Sequence, residues 1–299
     1  MLIRENWAEL LEPGLRTIFD KHIRKLKDFL PVLYAVEGSK KAAEHTQGVG
    51  SLGLMEEWEQ SGAQVAYEDI YRGFPMTYRH KKYSKGMKIE RELIDDDQYS
   101  EIKKRTKNLA MSVYYTRQFY GASVFNNAFN DNFAGPDAVA LCSAVHPLSP
   151  TNAATWSNAG TLALNADNVE IVRNRMKDWT DDKGNKLAIN PDMLIVPSAL
   201  RKTALVIADS PKEPDTADNN VNIWQGNVKV VEHDFFTNPN VWFMVDSERM
   251  KRFLIWFDRR KAQLESEKTF DTEVAKYKTV SRFSFGWDDP TFIYGNIAP

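Results

Sequence analysis

The stretch DQYSEIKKRTKNLAMSVYYTRQFYGASVFNNAF, residues 97–129, decides the fold. Tyr99, Ile102, Thr106, Leu109, Val113, Tyr120, Val124 and Ala128 recur at spacings of three, four or seven, the period of one helix face. Glu101, Lys103, Lys104, Arg105, Lys107 and Arg117 fill much of the remainder, and no proline interrupts the run. Asp95, Asp96 and Asp97 stand just before it, where carboxylates cap free N–H groups and favour the positive end of the helix dipole. At ~1.5 Å per residue the pattern predicts a helix of roughly 45–50 Å, far beyond the ordinary ~11–12 residues. Such a helix spans a molecule as a spine. Its weak point is Gly121, since glycine inside a helix costs ~1 kcal/mol relative to alanine. The reading is one helix, with a bend at Gly121 allowed; the alternative is two helices broken there.

The chain around it has 299 residues, enough for one large domain or two ordinary ones. Apolar residues at 42% and charged residues at 27% give a soluble globular composition. A net charge of -2 argues against a surface built throughout to grip nucleic acid, while leaving local basic patches open. Cys142 is the only cysteine, which excludes an intrachain disulfide and a cysteine-rich metal site and suits a cytosolic setting. No apolar run approaches the ~18–20 residues of a membrane span. The opening MLIRENWAELLEPGL does not read as a signal peptide.

Residues 2–30 predict an amphipathic helix with Leu2, Trp7, Leu10, Leu11, Leu15, Ile18, Phe19, Ile23, Leu26 and Leu30 on one stripe, interrupted at Pro13 and ended by Pro31. Gly38 to Gly53 reads as a flexible connection, so this helix could pack on its own core or reach another subunit. Across 64–94, Phe74, Met76, Tyr78 and His80 alternate with polar neighbours, as do Met87, Ile89, Arg91 and Leu93. With Tyr83-Ser84-Lys85-Gly86 as the turn, this predicts a long two-stranded hairpin. It carries Arg72, Arg79, Lys81, Lys82, Lys85, Lys88 and Arg91. Two strands alone are not stable in water, so a basic hairpin of this kind suits an arm that docks on a neighbour.

After the spine, Asn130–Gly160 is loop-rich, and 167–179 predicts a helix. Asp181-Asp182-Lys183-Gly184-Asn185 is a turn, Pro191–Pro197 a buried strand, and Ser198 caps a helix to Ala208. Residues 210–222 read as a surface loop. Asn227–Phe236 and Val241–Ser247 read as a hairpin, and Phe253–Phe257 as a further strand. In 273–285, Tyr277, Ser281, Phe283 and Phe285 face one way, and Lys276, Lys278, Val280 and Arg282 the other. The element order is α+β. Candidate chemistry is sparse. Cys142 and His146 invite a nucleophile–base reading, but no third orienting group stands nearby in sequence, and a cysteine among apolar neighbours is more often inert. Asp181, Asp182 and Asn185 resemble a fragment of a calcium loop without its twelfth-position glutamate, so no metal is expected. Nucleotide and serine-hydrolase motifs are missing from the sequence, so the expectation is a non-enzyme without cofactor.

Four segments carry a family resemblance. Leu141-Cys142-Ser143-Ala144-Val145-His146-Pro147-Leu148 resembles an L-F-S-x-x-H-P-L segment, with Cys142 in place of phenylalanine. Asp181–Gly184 through Leu194-Ile195-Val196-Pro197 resembles D-D-x-G…P-x-x-L-I-V-P. Ala217-Asp218-Asn219-Asn220-Val221-Asn222 resembles T-A-D-N-D-I-N, and Val274–Lys278 through Phe283–Trp287 resembles a closing strand. In this order they resemble the major capsid proteins of tailed bacteriophages with the HK97 fold, more narrowly the Mu-like major head subunits.

The resemblance implies an N-terminal arm over 1–50 and an extended E-loop hairpin with flanks over 51–95. A P-domain with the spine helix follows over 96–150, an A-domain over 151–250, and a C-terminal return to the P-domain over 251–299. It implies a shell subunit that assembles with copies of itself as hexamers and pentamers around double-stranded DNA. A portal and decoration proteins would be further partners, with a separate scaffold favoured by the initial methionine. Expected inter-subunit contacts are Arg79, Lys81, Lys82, Lys85 and Lys88 of the hairpin, meeting acidic surface on the neighbour, with Trp7 and Lys25 of the first helix. With Asn296 as the only asparagine after residue 262, a lysine–asparagine cross-link is not expected. An encapsulin-like compartment shell is the alternative, and a Cys142–His146 hydrolase the alternative of a different class.

Overall fold

The computed structural model describes residues 7–55, 57, 67, 70, 72–96, 98–212, 221–269 and 274–299. Helix α1 (Trp7–Lys25) and the single turn α2 (Leu30–Leu33) precede strands β1 (Ala35–Gly38), β2 (Ala43–Val49), β3 (Arg72–Arg79) and β4 (Lys81–Glu90). A short α3 (Glu92–Asp95) leads into α4 (Tyr99–Asn126). Next come β5 (His146–Ser149), β6 (Asn152–Trp156), β7 (Ala159–Gly160), α5 (Ala166–Lys177), β8 (Met193–Val196) and α6 (Arg201–Asp209). The remainder is β9 (Lys229–Glu232), β10 (Val241–Val245), α7 (Ser247–Phe253), β11 (Leu254–Thr269), β12 (Val274–Trp287) and β13 (Ile293–Ile297).

The spine forms as one helix of 28 residues, about 42 Å long. It runs through Gly121 because the glycine lets α2 approach. A Cβ there would stand 2.5 Å from Leu30 Cδ2, and Tyr34 Oη donates to the Gly121 carbonyl at 2.6 Å. The N-cap position is not one of the aspartates. Asp95 belongs to α3, and the cap position is Gln98, which makes no side-chain cap bond; Asp97 lies outside the described residues.

Two sheets lie along α4. One has the order β1-β11-β12-β4, the other β7-β13-β10-β8-β9. Ile102, Leu109, Ala110 and Val113 of α4 pack with Leu15 and Phe19 of α1 against Ile89, Leu264, Ala275 and Tyr277 of the first sheet. Val124 and Phe125, one end later, pack with Met193, Ile195, Phe243 and Val245 of the second. Alternate residues of the same strands, Leu194, Val196, Trp242 and Met244, face the opposite way with Val169, Val172 and Met176 of α5 and Ala204 and Ile207 of α6. Because both faces are covered, β8 (MLIV) and β10 (VWFMV) read as unbroken apolar runs.

Several sequence expectations change. Helix α1 continues through Pro13, and Pro31 sits in the first turn of α2, where its missing N–H has no helical partner to lose; Leu2 lies outside the described residues. The 38–53 connection is not loose chain, because β1 joins β11 in parallel and β2 pairs with β3. The predicted 64–94 hairpin does not form. β3 pairs with β2, β4 pairs with β12, and Tyr83–Gly86 lies inside β4. Local alternation fixed the two strands but not their partners. The 227–247 hairpin is also replaced, since β8 lies between β9 and β10. Ser198 opens a 3-10 turn before α6 and does not cap it. The α+β class, the α5 helix and the buried β8 strand form as read.

A bidentate ion pair ties the spine to the first sheet. Arg117 of α4 donates to both carboxylate oxygens of Asp258 on β11, at 2.7 and 3.2 Å. Trp256 Nε1 donates to the same carboxylate at 2.9 Å. Asp258 is nearly sealed from water, so removing the guanidinium leaves an uncompensated charge. Arg117→Met should lower unfolding free energy by about 3–5 kcal/mol in urea titration. A loss below about 1 kcal/mol, the value of an exposed pair, would show that the contact ties nothing.

Candidate subunit interface

The antiparallel pair β2–β3 forms the root of an arm that leaves the body at His80. Tyr78 and Met76 cover Ile255 and Phe257 on the face of the first sheet that α4 does not occupy. The Tyr78 and Phe257 rings meet edge-on at 5.1 Å. Gly286 makes room, since a Cβ there would stand 3.0 Å from Tyr78 Cε1. Asp288 Oδ1 accepts from Tyr78 Oη at 2.5 Å and from Thr46 Oγ1 at 2.6 Å. Burial, and then the Asp288 charge, push the Tyr78 phenol up, so it stays a donor. His80, between β3 and β4, meets Ser39 Oγ with Nε2 at 3.0 Å and Ser284 Oγ with Nδ1 at 2.9 Å. Burial, with Arg282 nearby, holds this imidazole below its usual range.

Past β2 the arm touches its own chain once more. Ser51 N–H donates to Asp182 Oδ1 at 3.2 Å, and Lys183 Nζ to the Leu52 carbonyl at 3.4 Å. Beyond that, Leu54, Met55 and Tyr67 are 81%, 99% and 92% exposed. The sequence from Ala42 to Tyr71 contains Glu44, Glu56, Glu57, Glu59, Glu68 and Asp69 and no lysine or arginine. The projecting segment is therefore acidic and apolar, the reverse of the basic arm expected from sequence.

The predicted cations gather elsewhere. Lys81, Lys82, Lys85 and Lys88 line the exposed edge strand β4, and Arg79 ends β3 opposite Ala43. On the face turned away from α4, Lys82 stands beside Arg282 and Lys88 beside Lys276. The rows continue onto β11, where Arg260 neighbours Arg282, Glu265 neighbours Lys278 and Glu267 neighbours Lys276. A cleft of about 730 Å³ opens at this end of the sheet, lined by residues of β4, β12 and β11 such as Lys88, Glu265, Lys276 and Lys278, and by Arg105 of α4. Lys276, Lys278 and Arg282 were legible as one face of the last strand, but their apposition to β4 was not. Trp7 opens α1 and Lys25 ends it, exposed. The buried Leu15 and Phe19 show that this helix packs on its own core.

The candidate dyad is not assembled. His146 is fully buried, with Nδ1 2.6 Å from Asp137 Oδ2 and Nε2 3.0 Å from Asn158 Oδ1. Asn158 is oriented by donating to the Leu141 carbonyl at 2.8 Å and accepting from Ser143 N–H at 2.8 Å. Both ring nitrogens are thus committed to oxygen acceptors, and neither to Cys142. The thiol lies in the core at Gly295, whose added Cβ would stand 2.6 Å from Sγ. Burial pushes the thiol pKa far up, so the thiolate is suppressed. His146 is therefore held by Asp137 and Asn158, apart from Cys142. Asp181 likewise turns inward on its own loop, accepting from Lys183 and Asn185 N–H at 3.0 and 2.7 Å. Among the described residues no cluster of three or more metal-ligating side chains occurs.

A two-sheet α+β subunit with a spine helix and a projecting arm is the fold of HK97-type shell proteins. The sequence model of the family described as phage capsid protein matches residues 74–296, and the chain belongs to that family. Its place is the virion. Solved structures share the fold. The mature capsid of bacteriophage PhiM1 aligns with TM-score 0.58 at 11% identity, over 91% of this chain and 87% of that one. The cyanophage P-SCSP1u capsid aligns with TM-score 0.56 at 12% identity, over 92% and 90%. A virus-like particle from Pyrococcus furiosus aligns with TM-score 0.53 at 11% identity, over 95% and 98%. No curated protein matches.

Since Cys142 is sealed and protonated, the native protein should react with an aromatic disulfide reagent at pH 8 at least about a hundredfold more slowly than the urea-unfolded chain. Equal rates, followed by absorbance, would place the thiol at a reactive surface.

Proposed function

We propose that this phage capsid protein is the major head subunit, closing with copies of itself as pentamers and hexamers into an icosahedral shell around double-stranded DNA. The observation that carries this reading is the pairing of family membership with an arm whose distal residues, Leu54, Met55 and Tyr67, have no cover from their own chain. A segment that apolar and exposed needs a partner surface, and repetition of one modest contact by symmetry gives a closed assembly its stability. The order of the four sequence segments supports placement with the Mu-like head subunits. The family match, rather than the fold shared with the archaeal virus-like particle, favours a phage head over an enzyme-filled compartment.

In this reading α1 and the chain up to β2 correspond to the N-arm, which ends before the expected residue 50. β2–β3 with the segment between them is the E-loop, so the two-stranded element lies earlier in the chain than the expected 64–94. The helix-bearing five-stranded sheet belongs to the A-domain. Arg79, Lys81, Lys82, Lys85 and Lys88, with Trp7 and Lys25, remain the proposed contact residues between subunits. No residue acts catalytically. A scaffold protein, a portal and decoration proteins are the further partners of such a shell, with DNA on its inner face.

Sedimentation velocity of the protein coexpressed with its neighbouring genes tests this reading. The wild type should sediment as particles hundreds of times heavier than the subunit. Deletion of residues 54–70, replaced by a short glycine–serine link, should leave a folded subunit with particle yield reduced about tenfold or more. Full-yield particles from the deletion would overturn the role given to the arm.

A further inference from the structure

We infer that the helix layer of α1 and α4 is the face this chain turns toward packaged double-stranded DNA, with Lys21, Arg24, Lys104 and Lys107 meeting its phosphates. The inference rests on the shell reading above and goes past it by naming which side of the subunit lines the interior. Three observations support it.

The first is where the cations point. Both helices pack on one face of the four-stranded sheet, α1 through Leu15 and Phe19 and α4 through Ile102, Leu109 and Val113. At 3.6 residues per turn, Lys104 and Lys107 fall opposite the buried stripe of α4, and Lys21 and Arg24 opposite that of α1. All four are exposed, and the exposed Lys103 flanks them. Tyr114 Oη donates to the Lys27 carbonyl at 3.1 Å, so the basic end of α1 is pinned to α4. The cations thus share one solvent-facing layer held in place by a packed core.

The second is the want of partners within the chain. From Lys103 to Asn126 α4 carries no carboxylate. Beyond Glu12, α1 has one acid, Asp20, against Arg16, Lys21, Arg24 and Lys25. Among the described residues no carboxylate lies within ion-pair distance of Lys21, Arg24, Lys103 or Lys107, and Lys104 reaches Glu101 at 3.9 Å. Asp28 and Asp234, beside Tyr114 at the far end of the layer, already accept from Gln118 Nε2 at 2.8 Å and Ser198 Oγ at 3.4 Å. Lys103 and Lys104 stand in the second turn of α4, toward its positive end, where the helix dipole gives cations no support. Helix stability does not require them, whereas a polyanionic partner is neutralised by them. DNA carries one negative charge per ~1.7 Å of axis, and phosphate contacts of this kind bind it without reading sequence.

The third is position. The arm root crosses the opposite face of the same sheet, with Tyr78 and Met76 on Ile255 and Phe257. The sheet therefore separates an arm side from a helix side. The arm side also carries cations, Lys276 and Lys278 among them, but Glu265 and Glu267 are interleaved there, and Glu265 is taken up by Arg260 and Lys278. The helix side has no such interleaving. In a shell whose copies are joined through the arm, the arm side belongs to contacts between copies, and the helix side is left to face the contents.

The test compares DNA-filled particles, made with the neighbouring genes, with particles of the same preparation emptied of DNA. Both are treated with a small amine-acetylating reagent, and lysine modification is read by mass spectrometry. DNA should protect Lys21, Lys104 and Lys107 at least about fivefold and leave Lys276 and Lys278 unchanged. Formaldehyde applied to filled particles, followed by nuclease digestion, should leave nucleotide adducts on the peptides that hold Lys21, Lys104 and Lys107. Equal acetylation in both states would overturn the inference, as would protection and adducts on the arm side instead. Formaldehyde links from the helix-side lysines to a second protein would also overturn it, because a protein lining would then be the occupant. Failure of the wild type to form particles, or particles that never hold DNA, would instead remove the shell reading itself.

Discussion

One helix belongs to two cores, and the rest of the subunit depends on that. The first half of α4 is buried with α1 and the four-stranded sheet, and its last turns are buried with α2 and the five-stranded sheet. Burial at both ends adds to the direct contact of the two sheets, since Trp256, Phe283 and Trp287 of the first share the core of Phe243 and Ile195 of the second. Gly121 sits where the two regimes meet. Its missing Cβ admits Leu30, and its carbonyl takes the Tyr34 hydroxyl, so the residue weakest in helix propensity marks the closest packing. Arg117 adds a direction to this packing, because a bidentate pair to Asp258 accepts only one rotation of α4 over β11.

The arm follows from the same construction. β12 pairs with β11 on one side and β4 on the other, so the strand after His80 is consumed by the sheet while the strand before it is not. Among the described residues β3 has β2 as its ladder partner and lies across the sheet to bury Tyr78. Asp288 and the two serines around His80 hold that crossing in place through hydroxyl contacts, which fix geometry more than they add affinity. A subunit built this way keeps a stiff body and offers a long projecting segment, the combination that a closed shell of identical copies requires.

Much of the body was legible in the sequence because its signals are local. The three-to-four spacing of Ile102, Thr106, Leu109 and Val113 gave the spine, and the alternation of Tyr277, Ser281 and Phe283 gave β12 and its two faces. What sequence could not give was partnership. Alternation marks Phe74–Tyr78 and Met87–Ile89 as strands, and a glycine-containing tetrapeptide between them looks like a turn, yet the ladder skips to a strand nearly two hundred residues away. That error carried the charge with it. The reading puts Lys81, Lys82 and Lys85 on a projecting tip, whereas they stand on β4 of the body. The inert reading of Cys142 was within reach of the sequence, but the separation of Cys142 from His146 was not. A spacing of four in sequence says nothing about direction, and Cys142 and His146 point to different partners, Gly295 on one side and Asp137 with Asn158 on the other.

Image reconstruction of particles formed by the expressed protein tests this account most directly. It predicts closed shells in which every copy keeps α4 unbroken between its two sheets and sends the segment beyond Leu52 away from its own body onto an adjacent copy. A preparation that stays monomeric with every neighbouring gene present would contradict it. So would shells in which that segment lies folded on its own subunit.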